Sequence, residues 1–372
     1  MKKLVSLILA VLMLLTMTAA LAEDGIEVHF NATNVGAVGT IQAANSCDAW
    51  LSLNGGSMVY PPALRYAPDD FLTWAESSIA AGADGLLFFT AADTVMPSIV
   101  TMCEQSGVYY ALTLRDIRDD EIKELVLSSP YFAGYSYEDE IANGYMIGEK
   151  CAELGYTQIA IVTTQKGDMA GDPREEGLLK ACDEFGIELV AEVRGLTQAS
   201  EGTTAAQSLL AAYPDLDCII SMASVASGSH DAIIAEIASQ DTGCHYMSID
   251  TPLDLIAAWE SGVVDATLIP AGKGGLGFDM LITNIKLVNA INGNLIVDAE
   301  GNVVPTIFEG YMIDSMEEAQ TYAEYLTNDK VRYITDEELA MFLPENNPDL
   351  SAEWIQEYVD NYDPMTQAYL GE

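Results

Sequence analysis

From Asp69 onward the chain alternates between amphipathic stretches of helical period and short apolar runs. Helix-like DDFLTWAESSIAAG precedes strand-like DGLLFFT, PSIVTMCEQSG precedes VYYALTL, and EIANGYMIGEKCAELG precedes QIAIVTT. PREEGLLKACDEFG with IELVAEV, TTAAQSLLAAY with LDCIISMA, and SHDAIIAEIAS with HYMSID continue the series. Alternating units of this kind build parallel sheets covered by helices. So many units predict two doubly wound lobes rather than one sheet. The break at RDIRDDEIKELVLSSPYFAGYSYEDE, residues 115–140, is where the first crossing between lobes is expected, with others near 250–255 and 268–275.

Ahead of the series, IEVHF and AWLSL read as the first two strands, with VGTIQAANSC as a short helix between them. Gly55, Gly56, Pro61 and Pro62 mark a loop. Residues 314–372 are acidic and helical in pattern, in SMEEAQTYAEYLTND and SAEWIQEYVDNYD, and read as a surface appendage. The expected organisation is an export signal over 1–22, a first lobe from 23–129 plus 270–298, and a second lobe over 130–269. A crossing strand and helical extension then occupy 299–372.

The export signal rests on Lys2 and Lys3 before an apolar run from Leu4 to Met17, then Ala20, Leu21 and Ala22 for cleavage. That run is short for a membrane span. No cysteine follows the expected cut, so the mature protein is expected to be exported without a lipid anchor. The formal net charge is −42, and removing Lys2 and Lys3 takes it to −44, with 13 basic against 57 acidic residues. Such a field repels phosphate backbones and anionic lipid, which disfavours nucleic acid and favours a neutral or cationic small molecule. The six cysteines show no CxxC pair and no clustered spacing, and Cys182 and Cys218 read as buried thiols.

The stretch CHYMSIDTPLDLIAAW, residues 244–259, places Asp250 between an apolar strand and a helix. Thr251 fits the N-cap, with Pro252 at N1 and Asp254 at N3. Asp250 is then left over at the carboxyl end of a strand, where open α/β sheets hold ligands.

GADGLLFFTAAD, GYMIGEKCAELGYTQIAIV, PREEGLLKACDEFGIELV, YPDLDCIISMASVASGSHDAI and YMSIDTPLDLIAAWESGVVDATLIP follow one another over roughly residues 70–295. In this order the chain resembles the type I periplasmic binding proteins, the sugar-binding family related to the ribose and galactose receptors of ABC transporters. The resemblance implies two α/β lobes joined by a three-strand hinge that close around a small ligand. By the same resemblance Asp250 matches an aspartate that accepts ligand hydroxyls, Arg115 and Asp116 match a polar pair ending the fourth strand, and Arg174 matches an arginine opening a helix. It also implies a monomer that delivers its ligand, a sugar, to an ABC permease; a sensing partner of a membrane kinase is the alternative.

Departures qualify the ligand. Ala223 and Ser224 stand where a polar Asn-Asp pair is usual, Pro270 replaces a glutamine, and the loop NATNVGAV offers Asn31 and Asn34 but no aromatic ring. A different sugar, a nucleoside or a more apolar molecule stays open, with Tyr60, Tyr135 or Tyr137 as stacking surfaces. GKGGLG, residues 272–277, fits a dinucleotide fingerprint but follows a late strand rather than the first. Ser229, His230 and Asp231 are consecutive and diverge on a helix, so they form no catalytic triad. His29, His230 and His245 lack metal-ligand spacing. No cofactor, metal or catalysis is expected.

Overall fold

A computed structural model describes residues 25–31, 38–60, 67–90, 92–223, 228–363 and 369–370. The export signal and Asn34 lie outside the described residues. Twelve strands form two sheets of six. The first holds β1 (Glu27–Phe30), β2 (Ser57–Val59), β3 (Gly85–Phe88), β4 (Tyr109–Leu112) and β5 (Phe132–Glu138). The second holds β6 (Gln158–Thr163), β7 (Glu188–Arg194), β8 (Cys218–Ser221), β9 (His245–Ile249) and β10 (Val264–Ile269). β11 (Thr306–Phe308) joins the first sheet beside β5, and β12 (Tyr311–Ile313) joins the second beside β10.

The sheet orders are β11-β5-β4-β3-β1-β2 and β12-β10-β9-β8-β6-β7, so the lobes repeat one topology. All pairings in these sheets are parallel except β10 with β12. Both faces of each sheet are apolar, as helices on both sides require. Leu86, Phe88, Tyr110 and Leu112 point to one face of the first sheet, and Val28, Leu87 and Ala111 to the other. This is the two doubly wound lobe architecture read from the alternation.

The chain crosses between sheets after Glu138, after Ile269 and between Phe308 and Tyr311. The first crossing falls later than the expected boundary at 130. Asp119 caps a helix at Asp120–Leu127 by accepting from the Glu121 and Ile122 amides, and that helix returns the chain to β5 beside β4. No crossing occurs at 250–255, because β9 and β10 are neighbours in one sheet. AWLSL is not a strand: it ends the helix Val38–Leu53, where Ala43, Cys47, Trp50 and Leu51 form a buried stripe at helical spacing.

Residues 314–363 are not a surface appendage. Tyr322, Tyr325, Tyr333, Phe342, Ile355 and Tyr362 are buried in the same apolar cluster as Val28 and Trp50 of the first lobe and Leu255 and Ile313 of the second. The six cysteines are buried free thiols. No helix among the described residues is long and apolar enough to cross a membrane.

Two helices of the second lobe, Glu140–Leu154 and Gly171–Phe185, approach each other through glycines. A Cβ on Gly144 would overlap the Arg174 carbonyl, one on Gly148 the Ala181 methyl, and one on Gly177 the Ile141 carbonyl. Gly144→Ala should therefore destabilise the fold by about 1–3 kcal/mol in urea melts. Gly39→Ala, on a helix with open space around the new methyl, should be neutral or slightly stabilising.

Lys286, on the helix Leu276–Ile291, is buried behind β5 and donates to the Tyr135 and Val304 carbonyls at 3.0 and 3.2 Å. Two acceptors match the two N–H bonds of a neutral amine. Burial lowers its pKa to about 7, against the opposing pull of the Asp279 carboxylate. Above that value the unfolded chain keeps a proton that the folded protein has released, so this residue makes stability rise with pH until its ordinary pKa is reached. From pH 7 to pH 9 the parent should gain on Lys286→Met by up to about 1.4 kcal/mol per pH unit. Parallel pH profiles in urea melts would show that Lys286 stays charged in the fold.

Candidate ligand-binding site

Equivalent strands of the two lobes end in the same unusual way. Leu114, just past β4, and Asp250, just past β9, are the non-glycine residues with positive φ among the described residues, at 65° and 73°. Such backbone is costly for residues other than glycine and clusters at functional sites. At the first of them Asp279, fully buried on the helix after the second crossing, holds the turn in place. Its Oδ1 accepts from the Leu114 amide at 3.1 Å, the Ser136 hydroxyl at 2.7 Å and the Thr113 hydroxyl. Burial pushes its pKa up, while those donors and Arg115 pull it down. The turn delivers Arg115 and Asp116 to the end of the sheet.

At the second, the Asp250 amide donates to the Leu268 carbonyl at 2.9 Å, which fixes the end of β9 against β10. Asp250 is not a helix cap, but neither is Thr251. The helix begins at Leu255 and its cap is Asp254, which accepts from the Ala257 amide at 2.9 Å. Pro252 disfavours helical geometry at the residue before it, and the Asp231 carboxylate accepts from the Leu253 and Asp254 amides at 3.2 and 3.4 Å.

Between these strand ends lies a cluster of ions. Arg174, buried near the start of its helix, grips Glu140 with two hydrogen bonds of 2.6 and 2.9 Å. The same guanidinium donates to the Met222 carbonyl at 3.0 Å and to Asp250 Oδ2 at 3.2 Å, and stands 3.7 Å from Glu138. Burial opposes its charge, yet Glu140, Asp250 and Glu138 together hold its pKa above the ordinary value. Arg115 stands 3.6 Å from Glu138 and 3.8 Å from Glu140. Arg115 belongs to the first lobe, Glu138 ends the first hinge strand, and Glu140 opens the second lobe. Burial and the adjacent Glu140 push the Glu138 pKa well up, against the two arginines.

A cavity of about 160 Å³ opens here, lined by Arg115, Asp116 and Arg118 of the first lobe, Tyr137 to Ile141 at the crossing, and Met169 and Pro173 of the second. Arg118, at its edge, pairs with the exposed Glu176 across the lobes at 3.2 Å. A larger cavity of about 650 Å³ lies between the second and third crossings and the C-terminal segment, beside Lys273 and Glu309. It contains none of the residues matched to a ligand role.

Of the sequence candidates, Arg115, Asp116 and Tyr137 meet at the first cavity, and Arg174 and Asp250 join it through the ion cluster. Asp116 also pairs with Lys123 at 2.8 Å. Asn31 is structural: fully buried, its side chain binds the Phe89 amide and carbonyl and ties β1 to the end of β3. Tyr135 is also no stacking surface, because it is buried in the first lobe's core against Phe132 and supplies a carbonyl to Lys286. Tyr60 packs edge-on against Phe30. His230 binds the Tyr246 hydroxyl at 2.7 Å, and burial lowers its pKa. GKGGLG forms the second crossing and opens the returning helix. Glu138, Glu140 and Asp279 were missed, although YSYEDE sets carboxyls directly after an apolar strand.

Two repeated α/β lobes, joined by three crossings with charged side chains from both at their strand ends, define a hinged binding protein. The chain belongs to the family described as periplasmic binding protein domain, which matches residues 41–282. No curated protein shows significant similarity to the sequence. Solved structures do share the fold. An ABC transporter solute-binding protein from Actinobacillus succinogenes with bound D-allose is 15% identical, covers 80% of this chain and 100% of its own, and has a TM-score of 0.65. A myo-inositol binding protein from Caulobacter is 13% identical with coverage of 81% and 97% and a TM-score of 0.62. A periplasmic ribose ABC transporter protein from Conexibacter woesei is 16% identical with coverage of 82% and 95% and a TM-score of 0.61.

Asp254→Ala should lower stability by about 1 kcal/mol in urea melts through loss of the cap. Thr251→Ala should stay within about 0.5 kcal/mol of the parent. The reverse order would return the cap to Thr251.

Proposed function

We propose that this protein is an exported solute-binding protein that closes on a small neutral ligand, a sugar or sugar-like molecule, and delivers it to an ABC importer. The observation that carries this reading is the convergence of Arg115, Glu138, Glu140, Arg174 and Asp250 from both lobes in one ion cluster beside a cavity at the crossings. Arginine and carboxylate side chains give charge-assisted bonds to hydroxyls acting as acceptor and donor, which suits polyols. The sugar-bound proteins of the same fold point the same way. Since the groups come from both lobes, a ligand that touches them all favours closure by its differential contacts. We assign the ligand contacts to Arg115, Asp116, Tyr137, Arg174 and Asp250, working as a monomer without catalysis. Export is supported by Lys2 and Lys3 ahead of the apolar run Leu4 to Met17.

A thermal-shift screen against sugars, inositols, nucleosides and amino acids tests this. A ligand at 100 times its Kd should add about 2.7 kcal/mol of stability. Stabilisation by amino acids alone would reject the sugar reading. With the binder in hand, Asp250→Ala should weaken calorimetric affinity by roughly 10- to 150-fold, as expected when a buried hydroxyl loses a charged acceptor. Unchanged affinity would remove Asp250 from the site.

A further inference from the structure

Glu138 is the carboxyl of the ion cluster that takes no hydrogen bond from a donor among the described residues. It ends the first hinge strand and lines the interlobe cavity, with its side chain 1% exposed. Among the described residues neither carboxyl oxygen meets a hydrogen-bond donor. The two guanidiniums stand back at 3.6 and 3.7 Å, outside hydrogen-bond range. Four of the five Arg174 donors go to Glu140, Asp250 and the Met222 carbonyl, and Arg115 donates to the Leu114 carbonyl. The adjacent Glu140 is itself an acceptor while ionised. A bond between the two carboxyls therefore needs a proton, and it satisfies one oxygen of Glu138 at most.

Charge leads to the same residue. Within 4.0 Å the cluster sets two guanidiniums against three carboxyls. Glu140 and Asp250 take hydrogen bonds from Arg174, and Glu138 is the carboxyl left without one among the described residues. A buried carboxyl without donors destabilises a fold unless something bound there supplies them.

Resting on the sugar-binding reading above, we propose that Glu138 contacts the ligand from the hinge, its two oxygens taking hydrogen bonds from adjacent hydroxyls of a neutral polyol. The placement also sets the site against acidic sugars. A ligand carboxylate there would face Asp116, Glu138, Asp139 and Glu140 along the cavity wall, with Arg174 already bound to Glu140 and Asp250.

The experiment has a ligand-free and a ligand-bound arm. Without ligand, Glu138→Ala should melt at or above the parent Tm, because an unsatisfied carboxyl is removed. Glu140→Ala should melt lower, because it strands the buried Arg174. A fall in Tm for Glu138→Ala as large as that for Glu140→Ala would show that the protein itself satisfies Glu138, and would overturn the proposal.

With ligand, calorimetry uses D-ribose, D-allose, D-galactose and myo-inositol. For those that bind, Glu138→Ala should weaken affinity at least 10-fold. The uronic acid of a binding sugar should bind the parent at least 10-fold more weakly than the neutral sugar, with a smaller gap in Glu138→Ala. Parent-like affinity in Glu138→Ala, or equal binding of the acid and neutral forms, would refute the assignment. If no sugar binds the parent, the sugar reading fails by itself, while the ligand-free melts still decide whether Glu138 is held by the protein.

Discussion

The paired hydrogen bonds between Arg174 and Glu140 organise the second lobe around the hinge. An arginine this deeply buried is tolerated only with its partner in place, since removing one member leaves an uncompensated charge. The pair joins the starts of the first two helices of that lobe, and the helices must come close for it to form. Gly144, Gly148 and Gly177 permit that approach, and Gly144 lies directly against the Arg174 carbonyl. Asp250 and the Met222 carbonyl, from the ends of β9 and beyond β8, take two more of the arginine donors. One guanidinium thus gathers the tops of four elements of the lobe at the point where the first hinge strand arrives.

The first lobe solves the corresponding problem with a carboxylate. Asp279 sits on the helix that follows the second crossing, yet it binds Thr113 and Leu114 past β4 and Ser136 within β5. It therefore locks the first hinge strand, the returning helix and the strained turn before Arg115 into one unit. Lys286, two turns along the same helix, supports β5 through the Tyr135 carbonyl, and Gly134 accommodates it with φ 140°. The rigid parts of the hinge are consequently its strand ends, with the site groups mounted on them.

Periodicity made the two-lobe architecture legible, because burial on both faces of parallel sheets leaves apolar runs between amphipathic helices. It failed at AWLSL, where five residues carry no period of their own and the buried stripe appears only over the whole helix Val38–Leu53. Crossing points were legible only in part, since the one expected near 268–275 follows Ile269 while the first falls after Glu138 and none occurs at 250–255. A strand that changes lobes has the same burial as one that does not, and a helix such as Asp120–Leu127 looks alike in either place. Asp250 and Arg174 could be singled out as polar residues at strand and helix ends. Asn31 looked similar in sequence, but its two bonds to Phe89 depend on a residue 58 positions away. Asp279 escaped notice because its partners lie more than 140 residues upstream.

The C-terminal segment carries the hinge argument beyond the region matched to the family. Tyr325 donates to the Gly274 carbonyl of the second crossing at 2.9 Å, and Tyr362 stacks on Phe278 at 3.9 Å between ring centres. Gln42 of the first lobe binds the Tyr325 and Asn328 carbonyls at 2.8 and 2.9 Å. On its other side the helix Met316–Thr327 packs against Leu255–Glu260 of the second lobe. Burying large aromatic side chains is worth about 1.5–3 kcal/mol each, so these rings hold the segment to the first lobe and the second crossing. The segment is also anchored to the second lobe, where the Tyr311 hydroxyl of β12 donates to Glu318 at 3.2 Å and Lys150 pairs with Asp314 at 2.8 Å. It thus bridges both lobes, and a change in their angle must be absorbed by small shifts along it.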